Sequence, residues 1–404
     1  MMRRLLYGTR FKLAPAWTMT ALGLPEEEYD LRYSRARQMM SARGLAALFV
    51  TEEEFFTYFT GARSLIPWRS FARPGFALVL LDRDPVAVVH TAMLEQTQKE
   101  SLLKDIRAYE TSKQVPLGGS PVQMLARIFE ELGLDRASIG AELGLDQRLG
   151  FPYADFERLK SALPNLSFVD ASDLLWDLRM VKSDAEISHI KKACQITGKA
   201  RQKCFETIES GMTEKQVARL FFKYMMELGA DSPCFGFVIS GTLAESTWMP
   251  TDKKLRKGET VWIDGGCYVG DYTCDFDRIA TIGEPSKKQL KLHDFILKTN
   301  KRMIDEFKPG VAVASVAKIC WNEYEKAGLP INRGGRMGHG QGMLPTEPPS
   351  VSELDSTVLK PGMVVSTEPG LLTDWGVFVW EDLIAITEDG HELLTKETTE
   401  LVKI

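Results

Sequence analysis

Five residues of metal-ligand type stand in order through the second half of this chain: Asp264, Asp275, His339, Glu368 and Glu381. Nothing constrains its folding more, because a scaffold has no use for one imidazole and four carboxylates converging in its interior unless something positive sits among them. Asp264 and Asp275 lie in VWIDGGCYVGDYTCDFDR with ten residues between them, where two adjacent strands can meet. His339 stands in GHGQG, whose glycines let the backbone crowd close to a site. Glu368 in STEPG and Glu381 in VWED each follow an apolar β-type run, so both are expected to project into one shared interior. Such a set is what two divalent cations need to share a hydroxide.

The scaffold around these residues can be read in outline. Residues 26–44 form a charged amphipathic helix closed by Gly44, and the apolar run LAALFV at 45–50 has the length of a buried strand. FALVLL and VAVVH, joined by the turn-forming DRDP, continue a sheet. A helix near 121–133, the strand SIGAE and a helix near 153–162 complete a small α/β unit that ends near Arg179 to Lys182. Beyond it, Ser183 with Glu186 opens a long helix that Gly211 ends, and Thr213 with Gln216 opens another that stops at Gly229. Strands at 260–268 and 272–282 follow, then a helix capped by Ser286 with Gln289 and one over 314–327. The rest is strand and turn. Periodicity alone gives an α+β chain, and the length predicts two domains, 1–180 and 181–404.

With 44% hydrophobic and 26% charged residues, the composition is that of an ordinary globular protein. A net charge of −5 provides no basic field for nucleic acid or anionic lipid, so neither is an expected partner. No run approaches membrane-spanning length. In the initial MMRRLLYGTRFKLAPAW, Tyr7, Gly8, Thr9, Arg10 and Lys12 interrupt any apolar core, so it does not read as a signal peptide and a cytoplasmic protein is expected. The six cysteines lack CxxC spacing and read as reduced, mostly buried hydrophobes. Cys267 and Cys274 flank the metal strands, yet no second histidine stands nearby in sequence to activate a thiol.

The order and spacing of the five residues resemble the pita-bread superfamily of creatinase, prolidase, aminopeptidase P and methionine aminopeptidase. MVKSDAEISHIKKA is similar to that superfamily's entrance to the catalytic domain, and PTDKKLRKGETVWIDGG to its run into the first metal strand. The resemblance implies an α+β fold with a pita-bread C-terminal catalytic domain and a smaller, creatinase-like N-terminal α/β domain. It also implies a homodimeric enzyme with two divalent metal ions per chain (Mn, Fe, Co or Zn), held by Asp264, Asp275, His339, Glu368 and Glu381. Catalytic roles then fall to Glu368 as proton shuttle and to His339 as the imidazole on one metal. Arg278, in DFDR, is expected to hold the ligand carboxylates, and Asp277 to support them without being a ligand.

Three positions depart from the peptidase pattern. Peptidases of this superfamily usually carry a further histidine in a stretch like HExP, where this chain has Thr346-Glu347-Pro348, and another upstream of the PTD segment, where it has Ser246, Thr247 and Trp248. Of the five histidines, His90, His189, His293, His339 and His391, only His339 falls in a matching segment. The missing imidazoles stabilise a tetrahedral intermediate, a task for which a Thr hydroxyl has no charge. The arginine that often precedes the final IED is also replaced, by Val379-Trp380. Upstream, Phe71-x-Arg73-Pro74 is similar to a creatinase segment whose Phe and Arg contact a small carboxylate-bearing substrate from the neighbouring subunit, a task that suits the planar guanidinium. Arg73, Phe71, Trp68, Thr346 and Trp248 are thus the expected substrate-binding residues.

The leading expectation is a dinuclear metal-dependent hydrolase cutting a C–N bond, amide or amidine, in a small carboxylate-bearing substrate. The alternatives are an Xaa-Pro dipeptidase or aminopeptidase, a metal-dependent lyase of the dimethylsulfoniopropionate-lyase type, and a non-catalytic binding protein on the same fold.

Overall fold

A period of two fixes the first sheet. Leu48 and Val50 face one core with Ala77 and Val79 of the next strand, while Ala47, Phe49, Phe76 and Leu78 face another. Both faces are therefore covered, which explains why these strands read as continuous apolar runs. In the computed structural model, which describes residues 22–63, 73–110, 121–150 and 152–404, the strands are β1 (Ala47–Val50), β2 (Phe76–Leu80), β3 (Val86–His90), β4 (Asp105–Tyr109), β5 (Ser138–Ala141) and β6 (Ser167–Asp170). Their order is β4-β3-β2-β1-β5-β6, antiparallel at β1/β2 and β2/β3 and parallel elsewhere. The helices of this unit are α1 (Glu26–Arg43), α2 (Glu53–Thr60), α3 (Leu94–Glu100), α4 (Val122–Glu131), α5 (Tyr153–Ala162) and α6 (Ser172–Met180). Gly44 closes α1 in the left-handed region at φ 66°, its N–H donating to Met40 and Ser41. The helices α2, α3 and α6 and the strands β4 and β6 were not foreseen. In α2 the segment EEFFTYFT is buried from Phe55 to Thr60, too short and too uniformly apolar for periodicity to distinguish helix from strand.

In the second unit, capping boxes at Ser183/Glu186 and Thr213/Gln216 start α7 (Asp184–Thr207) and α8 (Glu214–Glu227). Helix α7 stops at Thr207, short of Gly211, which at φ 95° turns the chain toward Leu255 instead. The strand β7 (Ser232–Ser240), also not foreseen, pairs with β8 (Thr260–Val269). The expected strand 272–282 is broken into β9 (Tyr272–Thr273) and β10 (Phe276–Thr281). Then come α9 (Lys287–Ile304), capped by Ser286/Gln289, α10 (Val313–Lys326), β11 (Arg336–Gly340), β12 (Glu347–Ser352), β13 (Val364–Thr367), β14 (Gly370–Thr373), β15 (Gly376–Val379), β16 (Asp382–Ile386), β17 (His391–Leu393) and β18 (Val402–Lys403). One sheet runs β18-β10-β8-β7 with β9 on β8; the other runs β12-β11-β13-β16-β17; β14 and β15 form a hairpin. Helices α7 and α8 cover the first sheet through Ala193, Cys204, Val217 and Phe221 against Ile263 and Val238. Helices α9 and α10 cover the second through Met303, Val316 and Cys320 against Val351, Val365 and Ile384. The two sheets thus face each other from inside a shell of helix pairs.

Buried Arg32 joins the two units. It donates to Glu28, to the Tyr58 carbonyl and to the Tyr272 hydroxyl, and pairs with Glu186 at 3.2 Å. Among the described residues, no helix is long and apolar enough to cross a membrane.

Candidate metal centre

The two sheets bring their strand ends to one cavity of about 1430 Å³. Asp264 sits within β8, opposite Asp277 of β10. Asp275 lies in the break between β9 and β10, where Gln341 replaces the missing ladder: its amide oxygen accepts from Asp275 N–H at 2.8 Å and its amide nitrogen donates to Asp275 C=O at 2.9 Å. His339 is on β11, Glu368 just past β13, and Glu381 just ahead of β16. All five line the cavity, as does Asp277. Sequence reasoning missed Gln341, although an amide two residues beyond His339 in GHGQG was the available signal.

Asp275, His339 and Glu381 converge most closely, each offering one ligand atom within 4.8 Å of the other two. His339 Nε2 stands 3.7 Å from Asp275 Oδ2 and 3.6 Å from Glu381 Oε1. Its other nitrogen, Nδ1, lies 3.1 Å from the Gly340 carbonyl. A carbonyl only accepts, so Nδ1 carries the proton and Nε2 turns its lone pair toward the two carboxylates. Burial, and then Arg336, hold the imidazole down to about 4, so it is neutral. The imidazole lone pair thus faces two carboxyl groups at 3.7 and 3.6 Å, too far for a hydrogen bond to either.

The carboxylates are crowded in the same way. Asp264 Oδ1, Asp275 Oδ1, Asp277 Oδ2 and Glu381 Oε1 are buried without a hydrogen-bond partner. Burial and then Asp277 push Asp264 up to about 8, and burial raises Glu368 to about 7. Asp275 and Glu381 are driven well above the usual carboxylate range, first by burial and then by Glu381 and Glu368 respectively. Oxygen-rich donors with one imidazole, crowded and unpartnered, fit divalent cations.

Arg278 was expected to hold the ligand carboxylates. Its guanidinium instead donates to the backbone carbonyls of Asp277 and Glu381, each at 2.6 Å, and to Asp382 Oδ1 at 2.8 Å. It grips the chain that carries Glu381, not the Glu381 carboxylate.

Of the expected substrate-binding residues, Thr346, Trp248 and Arg73 line the cavity. Arg73 does so from its own chain, so it needs no second subunit to reach this space. Phe71 and Trp68 lie outside the described residues. Ser246 is occupied by Glu214, and Thr247 donates to the Met249 carbonyl. Trp248 leans on Phe237 and Trp262, which also line the cavity. His339 is the only one of the five histidines on its wall. Cys267 and Cys274 are fully buried and off the wall.

Comparison with known proteins fits this geometry. The description of the Creatinase/Prolidase N-terminal domain matches residues 32–181, and that of Metallopeptidase family M24 matches residues 188–388. An Xaa-Pro dipeptidase of Pyrococcus horikoshii is 33% identical over 264 residues, 64% of this chain and 74% of that protein. The chain belongs to metallopeptidase family M24. A second relative, the Xaa-Pro dipeptidase of Pyrococcus furiosus, is 33% identical over 267 residues, 64% of this chain and 75% of that protein. Among solved structures, an Xaa-Pro dipeptidase from Bacillus anthracis superposes with TM-score 0.81 at 25% identity, covering 93% of this chain and 100% of that one. The prolidase from P. horikoshii superposes with TM-score 0.79 at 27% identity, covering 92% and 100%. The M24 chain thus has the α+β pita-bread catalytic domain behind a creatinase-like N-terminal domain, and is a metal-dependent hydrolase. Its relatives favour the peptidase alternative over the non-peptide reading that the missing histidines suggested.

Proposed function

We propose that this chain is an Xaa-Pro dipeptidase working with two divalent ions per chain, its catalytic domain beginning at residue 181. The observation that carries this reading is the Asp275, His339 and Glu381 convergence with lone pair facing carboxylate. Its M24 relatives supply the substrate class, and an Xaa-Pro dipeptide is itself a small molecule with a free carboxylate and an amide C–N bond. Divalent ions bound to Asp264, Asp275, His339, Glu368 and Glu381 supply Lewis acidity and a nucleophile at neutral pH. Glu368, on the cavity wall beside the other four, is the carboxylate placed to shuttle a proton at the hydroxide. The aromatic wall of Phe237, Trp248 and Trp262 offers a dry surface for a pyrrolidine ring.

Thr346, and the stretch Ser246-Thr247-Trp248, standing where imidazoles are expected, favour a second reading in which the C–N bond belongs to a non-peptide carboxylate. The two are separated by assaying the Mn- or Co-reconstituted protein on Ala-Pro and Gly-Pro. Turnover that Asp275→Ala abolishes is expected for the dipeptidase. A fully metallated protein that leaves both dipeptides intact would reject that reading and leave the second.

A further inference from the structure

The geometry points to Arg336 as the residue that takes the substrate's carboxylate. This rests on the reading of the cavity as a site for small free acids. In a regular strand, residues three apart face opposite sides, so Arg336 and His339 of β11 would be expected to point apart. The pairing of β11 with β12 slips between them. Gly338, at φ 145°, makes the slip possible: a side chain there would place its Cβ 2.0 Å from the Ser366 carbonyl oxygen. Both Arg336 and His339 consequently line the cavity.

Arg336 Nε stands 3.3 Å from Glu368 Oε1. Among the described residues no other ion pair or hydrogen bond engages this guanidinium, and its side chain is 43% exposed. The terminal nitrogens are therefore available to receive a carboxylate in bidentate fashion beside the proposed metal ligands. The competing cations on the wall are placed differently. Arg63 is engaged by Asp271 and Asp231, and Arg148 lies 3.8 Å from Glu52. Among the described residues, Arg73 touches none of the five ligand-type residues and no lysine lines the cavity. Among the described lysines and arginines on the wall, Arg336 alone pairs with the side chain of one of the five.

The test is calorimetric binding of N-acetyl-L-proline and N-acetyl-L-prolinamide to Mn-loaded wild type, R336A and R336K, with metal content measured in each. Wild type should prefer the free acid by at least about ten-fold, in line with a charge-assisted bidentate contact. R336A should bring that preference close to unity, with R336K between. If wild type shows no preference, or R336A keeps it or weakens acid and amide equally, the assignment is overturned and Arg336 only holds Glu368. Turnover of Ala-Pro, measured alongside, reports on the dipeptidase reading separately: acid preference without turnover removes the reaction and leaves the carboxylate site.

Discussion

The backbone N–H of Glu381 donates to Asp277 Oδ1 at 3.0 Å, while the Arg278 side chain donates to the Glu381 carbonyl at 2.6 Å. Consecutive residues of β10 thus hold both ends of one residue that lies just ahead of β16 in the candidate metal centre. Asp277 also sits opposite Asp264 in the ladder, so it ties two proposed ligands to one strand. It was expected to support the ligands; its Oδ1 accepts from Glu381, while its Oδ2 is buried without a partner on the cavity wall.

Asp277→Ala should therefore weaken Mn binding by about 10- to 100-fold, the usual cost of removing a group that orients a metal ligand. Asp277→Asn keeps an acceptor for the Glu381 N–H and should recover much of that loss. Chelator competition measures both. Unchanged affinity in the alanine variant would show that Glu381 is held well enough by Arg278 alone.

The raised carboxylates give a pH dependence of definite sign. A carboxylate whose folded-state pKa is raised stabilises the fold fully below its ordinary value and loses that contribution as pH rises through the folded value. For Glu368 and Asp264 the ordinary values are 4.5 and 3.8 and the folded ones about 7 and about 8. The metal-free protein should accordingly lose stability from pH 5 to pH 8. Bound Mn requires those groups ionised, so the rise in melting temperature on adding Mn should grow over the same interval. Melting curves with and without EDTA test this, and a Mn effect that shrinks with pH would contradict it.

That the five residues meet on one cavity wall was legible because spacing carries it: four carboxylates and one imidazole at strand-like positions survive translation into three dimensions without knowledge of the loops. Arg336 was not legible, because the period of two puts it on the wrong side of β11 and only the slip at Gly338 reverses that. The break at Asp275 was hidden in the same way, since the partner of its backbone is a side chain, Gln341, 66 residues away. Arg73 was assigned to the cavity through a segment likeness, with a neighbouring subunit as carrier. The fold puts it on the wall of its own chain because β2 begins three residues later, at Phe76, with the N-terminal unit already against the metal domain. Charged side chains that bridge the units, such as Arg32, left no periodic trace in α1.

Arg32 supplies the next expectation. With Glu28, Glu186, the Tyr272 hydroxyl and the Tyr58 carbonyl around it, its removal strands two buried carboxylates. Breaking a buried ion pair by deleting one partner costs about 3–5 kcal/mol. Arg32→Met should lower unfolding free energy in urea by that order. A loss below about 1 kcal/mol, the range of exposed pairs, would mean that the network holds no strain-bearing place between the units.

Glu347 connects the interdomain junction to the cavity wall. Its carboxylate is buried between Arg179 and Lys182, which lie where the two units join, and accepts from the N–H groups of Met343 and Leu344, each at 3.0 Å. It therefore pins the turn that carries Met343, Leu344 and Thr346 onto the wall. Arg179 and Lys182 hold the carboxyl below its ordinary value of 4.5 against the opposing effect of burial. Glu347→Gln keeps the shape and an acceptor oxygen but leaves two cations buried without a counter-charge. The variant should lose about 3–5 kcal/mol of stability, the cost of a half-broken buried pair. Where it still folds, the loosened turn should raise KM with Mn content unchanged. Thr346→Ala, at the exposed tip of the same turn, should leave stability within about 0.5 kcal/mol of wild type. Equal stability losses in the two variants would show that the turn, and not the buried charge pair, is what matters there. An unchanged KM in a folded Glu347→Gln protein would detach this turn from substrate binding.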